Sequence, residues 1–220
     1  VGWAVHGFAG EGCTLGEGLN LRDSMRQARL PILLVLLALA LYLPGWCPVV
    51  TWSHYGADGP ELETAGRVLG VPHPTGYPLL MLLVRAVSIL APPPLSALHR
   101  VTLASAILAV AMAGVAGRGM ARRVWREGAW AEAAGLLAGA LFASSFTWWK
   151  QAVIGEVYPL HMAFVASVLA LLFIGGVRPS LLAAWILGLG LGHHLQILPF
   201  TLVVAAYWIA ARRGRPPRAA

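Results

Sequence analysis

The chain has 220 residues, of which 58% are hydrophobic and 11% are charged. Soluble domains average about 45–50% apolar and about 25% charged residues, so this composition excludes an ordinary soluble domain and predicts an integral membrane protein. The formal net charge of +7 does not indicate a nucleic-acid surface, because the arginines cluster at the ends of apolar runs, where they orient membrane helices. We therefore expect no nucleic acid as a partner.

The apolar runs predict an all-α membrane protein with six crossings, because a helix needs about 20 apolar residues to cross a bilayer. The Gly-rich residues 1–28 form a predicted disordered tail, residues 29–211 the membrane domain and residues 212–220 a basic cytoplasmic tail. Arginines before the first span place the N-terminus in the cytoplasm, and residues 51–98 form an outer loop that begins with a polar stretch up to Pro78. We expect a multi-pass protein of the bacterial inner (plasma) membrane. The predicted spans are residues 30–50, 100–119, 130–149, 158–176, 180–192 and 195–211, the last two as a short hairpin or a broken helix pair.

The outer loop contains the acidic sequence Asp58-Gly59-Pro60-Glu61. It is typical of a helix start, with an acidic N-cap, a proline in the first turn and a capping-box glutamate three residues after the cap. A short amphipathic helix would follow, on which Glu63 and Arg67 are four residues apart and can pair. Asp58 is also suited to act as a general base that takes the proton of an acceptor hydroxyl as it attacks a sugar. The two interpretations are compatible, since a cap fixes where the carboxylate points.

The next segment, "VPHPTGYPL", cannot be regular helix, because three prolines each remove an amide donor and restrict the residue before them. It predicts a rigid elbow that presents His73 and Tyr77 at a fixed place, either as a structural corner or as contacts for a ligand or phosphate. The apolar run that follows is short, interrupted by Arg85 and stopped by prolines. It predicts a helix at the membrane interface rather than a span.

Four sequence blocks occur in a recognisable order between Leu30 and Leu198: an outer-loop Asp-x-x-Glu, "LGVPHPTGYPL", "SFTWWKQAVIGEVYPLHMAF" and "LGLGLGHHLQILP". In this order and spacing the chain resembles the domain-of-unknown-function 2723 family, which includes the transmembrane protein 260-like protein O-mannosyltransferases. Two positions depart from the family pattern. The usual Asp-Ser-Gly-Glu is Asp58-Gly59-Pro60-Glu61 here, and Thr75 replaces the second proline of the usual His-Pro-Pro-Gly-Tyr-Pro.

The resemblance implies the C-type membrane glycosyltransferase architecture, a multi-span helical bundle with in-plane helices in the first outer loop. It implies a sugar on a polyprenyl phosphate as donor, an acceptor hydroxyl on a protein or glycan, and inversion at the anomeric carbon. Asp58 would be the catalytic base, with Glu61 supporting it. No cofactor is implied beyond the lipid-linked donor, and the dependence on a divalent metal stays open.

The leaving phosphate needs cationic or hydrogen-bonding partners, for which the outer side offers histidine, arginine and lysine side chains. Glu156 begins a span, where a carboxylate is costly unless it is paired or faces water, so it either lines the site or pairs with Lys150. No cysteine–histidine spacing predicts a metal site. The adjacent His193 and His194 would point about 100° apart on a helix, so at most one of them would face a given cavity. The candidate substrate-binding residues are His73, Tyr77, Arg100, Lys150, Glu156, Tyr158 and His194.

A second function class fits the same sequence: a non-catalytic membrane transporter, or a subunit that binds a lipid-linked sugar. The polar interruption "LGHHLQILP" in the last apolar region favours it, because transporters use broken helices at their binding sites. The acidic residues crowd one outer edge instead, which favours chemistry on a lipid substrate. Membrane lipid is a partner in either case.

Overall fold

The computed structural model describes residues 21–50, 58–74, 76–90, 95–125 and 128–212. Of this part of the chain 83% is helical and none is β-strand, which confirms the predicted all-α class. Residues 1–20 of the predicted tail and the basic residues 213–220 lie outside the described residues. The helices are α1 (Leu21–Tyr42), α2 (Gly59–Val68), α3 (Pro78–Leu90), α4 (Ala97–Trp125), α5 (Gly128–Ser144), α6 (Phe146–Val153), α7 (Tyr158–Ile174), α8 (Val177–Leu191) and α9 (Leu198–Arg212), with a 3₁₀ turn at Leu195–Ile197.

Helix α4 is the centre of the fold and packs against α1, α5 and α7. Small residues allow the backbones of α4 and α5 to approach closely. A Cβ atom added at Gly135 would lie 2.8 Å from the carbonyl oxygen of Gly114, and one added at Gly117 would lie 2.7 Å from the Cβ of Ala138. The Gly114-x-x-Gly117 and Gly135-x-x-x-Gly139 spacings therefore serve helix packing, as their small size predicts.

Among the described helices, α4 is long and apolar enough by itself to cross a membrane. Helices α5 and α6 pass the same test together, although they are bent by 66° at Ser145. The predicted span 130–149 is thus a bent pair rather than one straight helix. Beyond the bend Trp148 is buried, and its ring stacks on Phe142 with 4.4 Å between centroids. Helix α1 begins at Leu21, so residues 21–28 of the predicted tail are helical.

A buried carboxylate fastens α2 to the first turn of α4. Glu63 accepts hydrogen bonds from the backbone N–H groups of Ala97 (3.1 Å) and Leu98 (2.7 Å) and from the hydroxyl of Ser96 (2.8 Å). The first N–H groups of a helix have no intrahelical partner and favour negative charge. The predicted pair with Arg67 is also confirmed, with Nε 2.6 Å from Oε1 of Glu63. Glu63 therefore holds α2, and with it Asp58, at a fixed place on α4.

Two consecutive residues of the elbow between α2 and α3 have left-handed backbone conformations. Gly76 and Tyr77 have φ values of +84° and +45°, in the left-handed region. That region is open to glycine and costly for a tyrosine. Directly after the elbow, the N–H of Leu79 donates to the carbonyl of Gly192 at 3.0 Å. This bond joins the start of α3 to the break that follows α8.

Candidate active site

Asp58, Glu61 and His73 converge at the N-terminal end of α2. Nε2 of His73 lies 4.0 Å from Oδ2 of Asp58, and Nδ1 lies 3.0 Å from Oε2 of Glu61. Asp58 directly precedes α2 and Glu61 is in its first turn, whereas His73 comes from the elbow. The side chains of Asp58 and Glu61 are 49% and 46% exposed, so both carboxylates face solvent while contacting the imidazole.

Glu61 holds His73 instead of capping its own helix. Its carboxylate accepts the backbone N–H of His73 at 2.7 Å and contacts the ring nitrogen Nδ1. The expected capping box is therefore wrong: the Asp58 side chain makes no capping hydrogen bond to the start of α2. The side-chain and backbone hydrogen bonds from His73 hold the pKa of Glu61 below its usual range. Glu61 is thus an ionised group that orients the imidazole.

Tyr77 extends the group on the other side of the imidazole. Its hydroxyl lies 3.3 Å from Nε2 of His73, and the two rings meet edge to face with centroids 5.5 Å apart. When Nδ1 of His73 donates to Glu61, Nε2 carries the lone pair and accepts from the tyrosine hydroxyl. Tyr77 is buried, so the elbow holds both side chains in one arrangement.

Glu156 lies in the segment between α6 and α7, which packs beside the cluster of Asp58, Glu61 and His73. A Cβ atom added at Gly59, beside Asp58, would lie 3.4 Å from the carbonyl oxygen of Gly155. Burial raises the pKa of Glu156 above its usual range; the Asp58 carboxylate raises it further, while His73 and the N–H of Val157 oppose the shift. Like charges close together cannot both ionise freely. Glu156 therefore holds a proton more readily than an ordinary glutamate does.

The remaining predicted residues come from the starts of α4 and α7, from α6 and from the break after α8. Tyr158 is 42% exposed at the start of α7, and its ring centroid is 6.4 Å from that of His194. Lys150 lies half-buried in α6. Arg100 lies half-buried in the first turn of α4, and in the described part of the chain no hydrogen bond or ion pair joins it to the carboxylate cluster.

Two buried histidines, which are not among the predicted site residues, lie beside the rings of His194 and Tyr77. His161 lies in the first turn of α7 with its ring centroid 5.5 Å from that of His194, and His193 lies 6.0 Å from Tyr77 by the same measure. The spacing of Tyr158 and His161, three residues apart at the start of a helix, indicates that they share a face. That spacing was the available signal for His161.

Asp58, Glu61 and His73 could also hold a metal ion. One potential ligand atom from each lies within 4.8 Å of the other two. Carboxylate oxygens and an imidazole nitrogen suit several divalent cations. Local sequence spacing predicted no metal site, because His73 comes from a different segment than the two acids and reaches them only through the elbow.

An apolar groove of about 480 Å³ adjoins the elbow and the start of α3. It could receive an apolar chain, but the carboxylates lie outside its lining. The groove is lined by Leu69, Gly70, Val71, Gly76, Pro78, Met81 and Leu82.

Fold and site together define an all-helical protein with a half-exposed group of carboxylates around an imidazole. The chain belongs to the family described as protein O-mannosyl-transferase TMEM260 N-terminal domain, whose family model matches residues 58–217. This membership puts the chain in the glycosyltransferase class of enzymes, and the match begins at Asp58 itself. No curated protein and no solved structure matches the chain.

Proposed function

We propose that this protein is a membrane glycosyltransferase in which Asp58 is the general base. It transfers a sugar from a polyprenyl-phosphate donor to an acceptor hydroxyl of a protein or glycan on the extracytoplasmic side. One observation carries the proposal: in a chain of an O-mannosyltransferase family, Asp58 lies 4.0 Å from His73 and within electrostatic reach of Glu156, at one solvent-facing rim.

The reaction requires one proton transfer and one displacement. Asp58 takes the proton of the acceptor hydroxyl as the oxygen forms a bond to the anomeric carbon of the sugar. The bond from that carbon to the phosphate oxygen breaks on the opposite face, and the lipid phosphate leaves with the electron pair. The configuration at the anomeric carbon is inverted. Half of the Asp58 side chain is exposed, so an acceptor hydroxyl can reach it.

Glu61 positions His73 beside this base. The two hydrogen bonds from His73 to Glu61 fix the imidazole beside Asp58, and second-sphere partners of this kind keep a reactive group in one orientation. Glu156, whose pKa is raised, can keep its proton and donate a hydrogen bond to a sugar hydroxyl. We therefore assign proton acceptance to Asp58 and hydrogen-bond donation to Glu156.

The leaving phosphate carries negative charge that needs compensation. Arg100 and Lys150 are the cations we assign to it, His73 joins them when both of its ring nitrogens carry protons, and Tyr77, Tyr158 and His194 lie along the sugar. No cofactor beyond the donor is required in this mechanism. Asp58, Glu61 and His73 would hold a divalent cation if the enzyme uses one, and the ion would then supply positive charge against the leaving phosphate.

In the membrane we propose a multi-span bundle of the C type with a cytoplasmic N-terminus. Helix α4 and the bent pair α5–α6 have the length and apolar composition for two of the spans. Helices α1, α7, α8 and α9 supply the others, and α2 and α3 lie in the plane of the outer surface. The membrane lipid is thus a partner along most of the chain.

A transporter, or a non-catalytic subunit that binds a lipid-linked sugar, is the second candidate. One observation favours it: the helical run from α8 to α9 is interrupted, and the interruption carries the buried His193 and the half-buried His194. Broken helices with polar residues form the binding sites of many transporters. In that case labelled sugar would cross the membrane without becoming attached to an acceptor.

The two candidates are separated by supplying labelled polyprenyl-phosphate mannose to proteoliposomes that contain the protein and its co-purifying acceptors. The enzyme predicts label in a covalent protein or glycan product. Label that is moved or retained only as intact lipid-linked sugar would support the second candidate. A Glu132→Gln variant is the matched control, since Glu132 pairs with Arg118 and Arg122 away from the assigned site.

A further inference from the structure

A second polar group lies beside the carboxylates and shares Tyr77 with them. The ring centroid of His194 is 5.6 Å from that of Tyr77, 5.5 Å from that of His161 and 6.4 Å from that of Tyr158. The hydroxyl of Tyr77 contacts His73, which in turn faces Asp58. A ligand seated among these rings would therefore be connected to the proposed base through Tyr77 and His73.

The hydrogen bonds of the two adjacent histidines define which ring nitrogen carries the proton. Nδ1 of His194 accepts the N–H of Gln196 at 3.1 Å, so its Nε2 is left as a donor. Nε2 of His193 lies 3.0 Å from the carbonyl of Val157, so it donates there and Nδ1 is left as an acceptor. Within the described residues that Nδ1 is buried and has no hydrogen-bond partner.

His161 also has a buried ring nitrogen that lacks a hydrogen-bond partner among the described residues. Its side chain is 7% exposed, and its Nδ1 is buried with no hydrogen-bond partner among the residues that the structure describes. A buried polar atom without a partner is destabilising, and such atoms are rare in native proteins unless another group reaches them. The Nδ1 of His161 lies in a ring whose centroid is 5.5 Å from that of His194, and its lack of a partner within the described residues indicates a place for a ligand that supplies a hydrogen bond.

The chemistry of the group selects a neutral polyol. A neutral imidazole offers one donor and one acceptor, and each sugar hydroxyl also offers both. The flanking rings of Tyr77 and Tyr158 provide apolar faces with a polar end, against which the C–H face of a sugar can pack. An anionic group would favour arginine or lysine with their charged donors, whereas the rings around His194 are histidine and tyrosine.

We propose that His161 and His194, with Tyr77 and Tyr158, form the subsite that binds the sugar ring of the donor. The inference rests on the proposed function, because it names the part of the donor that this group recognises. It assigns His161 a binding role and gives His194 a specific partner, the sugar hydroxyls. The phosphate then lies toward the carboxylate rim, where His73 is placed.

The test compares two singly charged phosphodiester probes that differ in the sugar: farnesyl-phosphate mannose and farnesyl methyl phosphate. Dissociation constants are measured by titration calorimetry on the full chain in detergent. The unmodified protein is expected to bind the mannosylated probe more tightly. The His161→Phe variant is expected to lose about tenfold of that preference, the value of one or two hydrogen bonds, with unchanged affinity for farnesyl methyl phosphate.

The His194→Asn variant provides the same test if His161→Phe does not fold. Asparagine can still accept the N–H of Gln196 as a cap but lacks the imidazole Nε2–H. Asp58→Asn should keep the preference, since the base is not part of this subsite. An undiminished preference in both histidine variants, or no preference in the unmodified protein, overturns the inference. A preference that depends on His161 in a protein that transfers no sugar would retain the inference and refute the proposed function.

Discussion

Glu61 and His73 are joined at two points, through the backbone N–H of His73 at 2.7 Å and through its ring nitrogen Nδ1 at 3.0 Å. Because both bonds end on one carboxylate, the imidazole can neither rotate nor move away from α2 without losing them. The ring thereby keeps its other nitrogen 4.0 Å from Asp58. This relationship turns a proline-rich loop into a fixed part of the proposed site.

Replacing Glu61 by glutamine tests that relationship. The amide keeps one oxygen for the backbone N–H of His73 but loses the charge that orients the ring. We expect transfer to fall by about 10- to 100-fold, as for other groups that orient a reactive residue, with most of the loss in kcat. The measurement is steady-state transfer of labelled sugar, with Glu132→Gln as control. A Glu61→Gln enzyme with an unchanged kcat would show that the clamp has no part in the reaction.

Glu63 has a structural rather than a catalytic role, so its substitution should lower the free energy of unfolding. In Glu63→Gln three donors at the start of α4 and Arg67 lose their carboxylate, so we expect a loss of about 2–4 kcal/mol in unfolding free energy. Thermal unfolding in detergent measures this, and Glu132→Gln should change it by less than about 1 kcal/mol. Equal stability of the two variants would contradict the docking role.

Burial and hydrogen bonding also give this group a pH signature. Burial would raise the pKa of Glu63, but the bonds from Leu98, Ser96 and Ala97 and the charge of Arg67 outweigh it, so the pKa is lowered. A lowered folded-state pKa gives stability that is present above the unfolded-state pKa, about 4.3, and lost as the pH falls through the folded-state value. The stability difference between wild type and Glu63→Gln should accordingly shrink below about pH 4.

The raised pKa of Glu156 predicts the opposite dependence of folding stability on pH. Its pKa is raised, chiefly by burial, so between the unfolded and folded pKa values the native state holds more protons. Wild-type stability therefore falls as the pH rises through this window. We expect Glu156→Gln to be more stable than wild type at pH 7 and equal to it below the usual carboxyl pKa of about 4.3. Thermal melts across pH 4–8 check this, and a variant less stable at pH 7 would contradict the assignment.

The close packing of α4 against α5 can be tested by comparing the stability of a glycine substitution at the contact with that of one in open space. In Gly135→Ala the new methyl would lie 2.8 Å from the carbonyl of Gly114 and 2.9 Å from Cδ2 of Leu30, so we expect a loss of about 1–3 kcal/mol. Gly188→Ala meets no atom within 4 Å and gains helix propensity, by up to about 1 kcal/mol. Thermal unfolding compares the two. A Gly135→Ala protein as stable as Gly188→Ala would show that the packing is looser than described.

Several features could be predicted because they depend on neighbours in sequence. Prolines define the elbow at His73, and a spacing of four residues pairs Glu63 with Arg67 on one helix. The apolar length of α4 likewise follows from its own composition. In each case the interacting groups lie within a few residues, so local geometry settles the outcome.

Other features depend on contacts that no local pattern encodes. Glu63 binds N–H groups more than 30 residues away at Leu98, and Glu61 turns to His73 instead of the helix start. Trp148 fits an interfacial position by composition but is buried, because the chain bends at Ser145. The unmet nitrogen of His161 is visible only when its surroundings are in place.

The most direct test of the central claim is the rate of sugar transfer by Asp58→Asn. The asparagine has nearly the same shape but cannot take the proton of the acceptor hydroxyl. We predict that the variant folds, binds the polyprenyl-phosphate sugar with wild-type affinity, and transfers it at least about 100-fold more slowly, the smallest effect expected for loss of a general base. Transfer by Asp58→Asn at the wild-type rate, in protein with an unchanged melting temperature, would contradict the account.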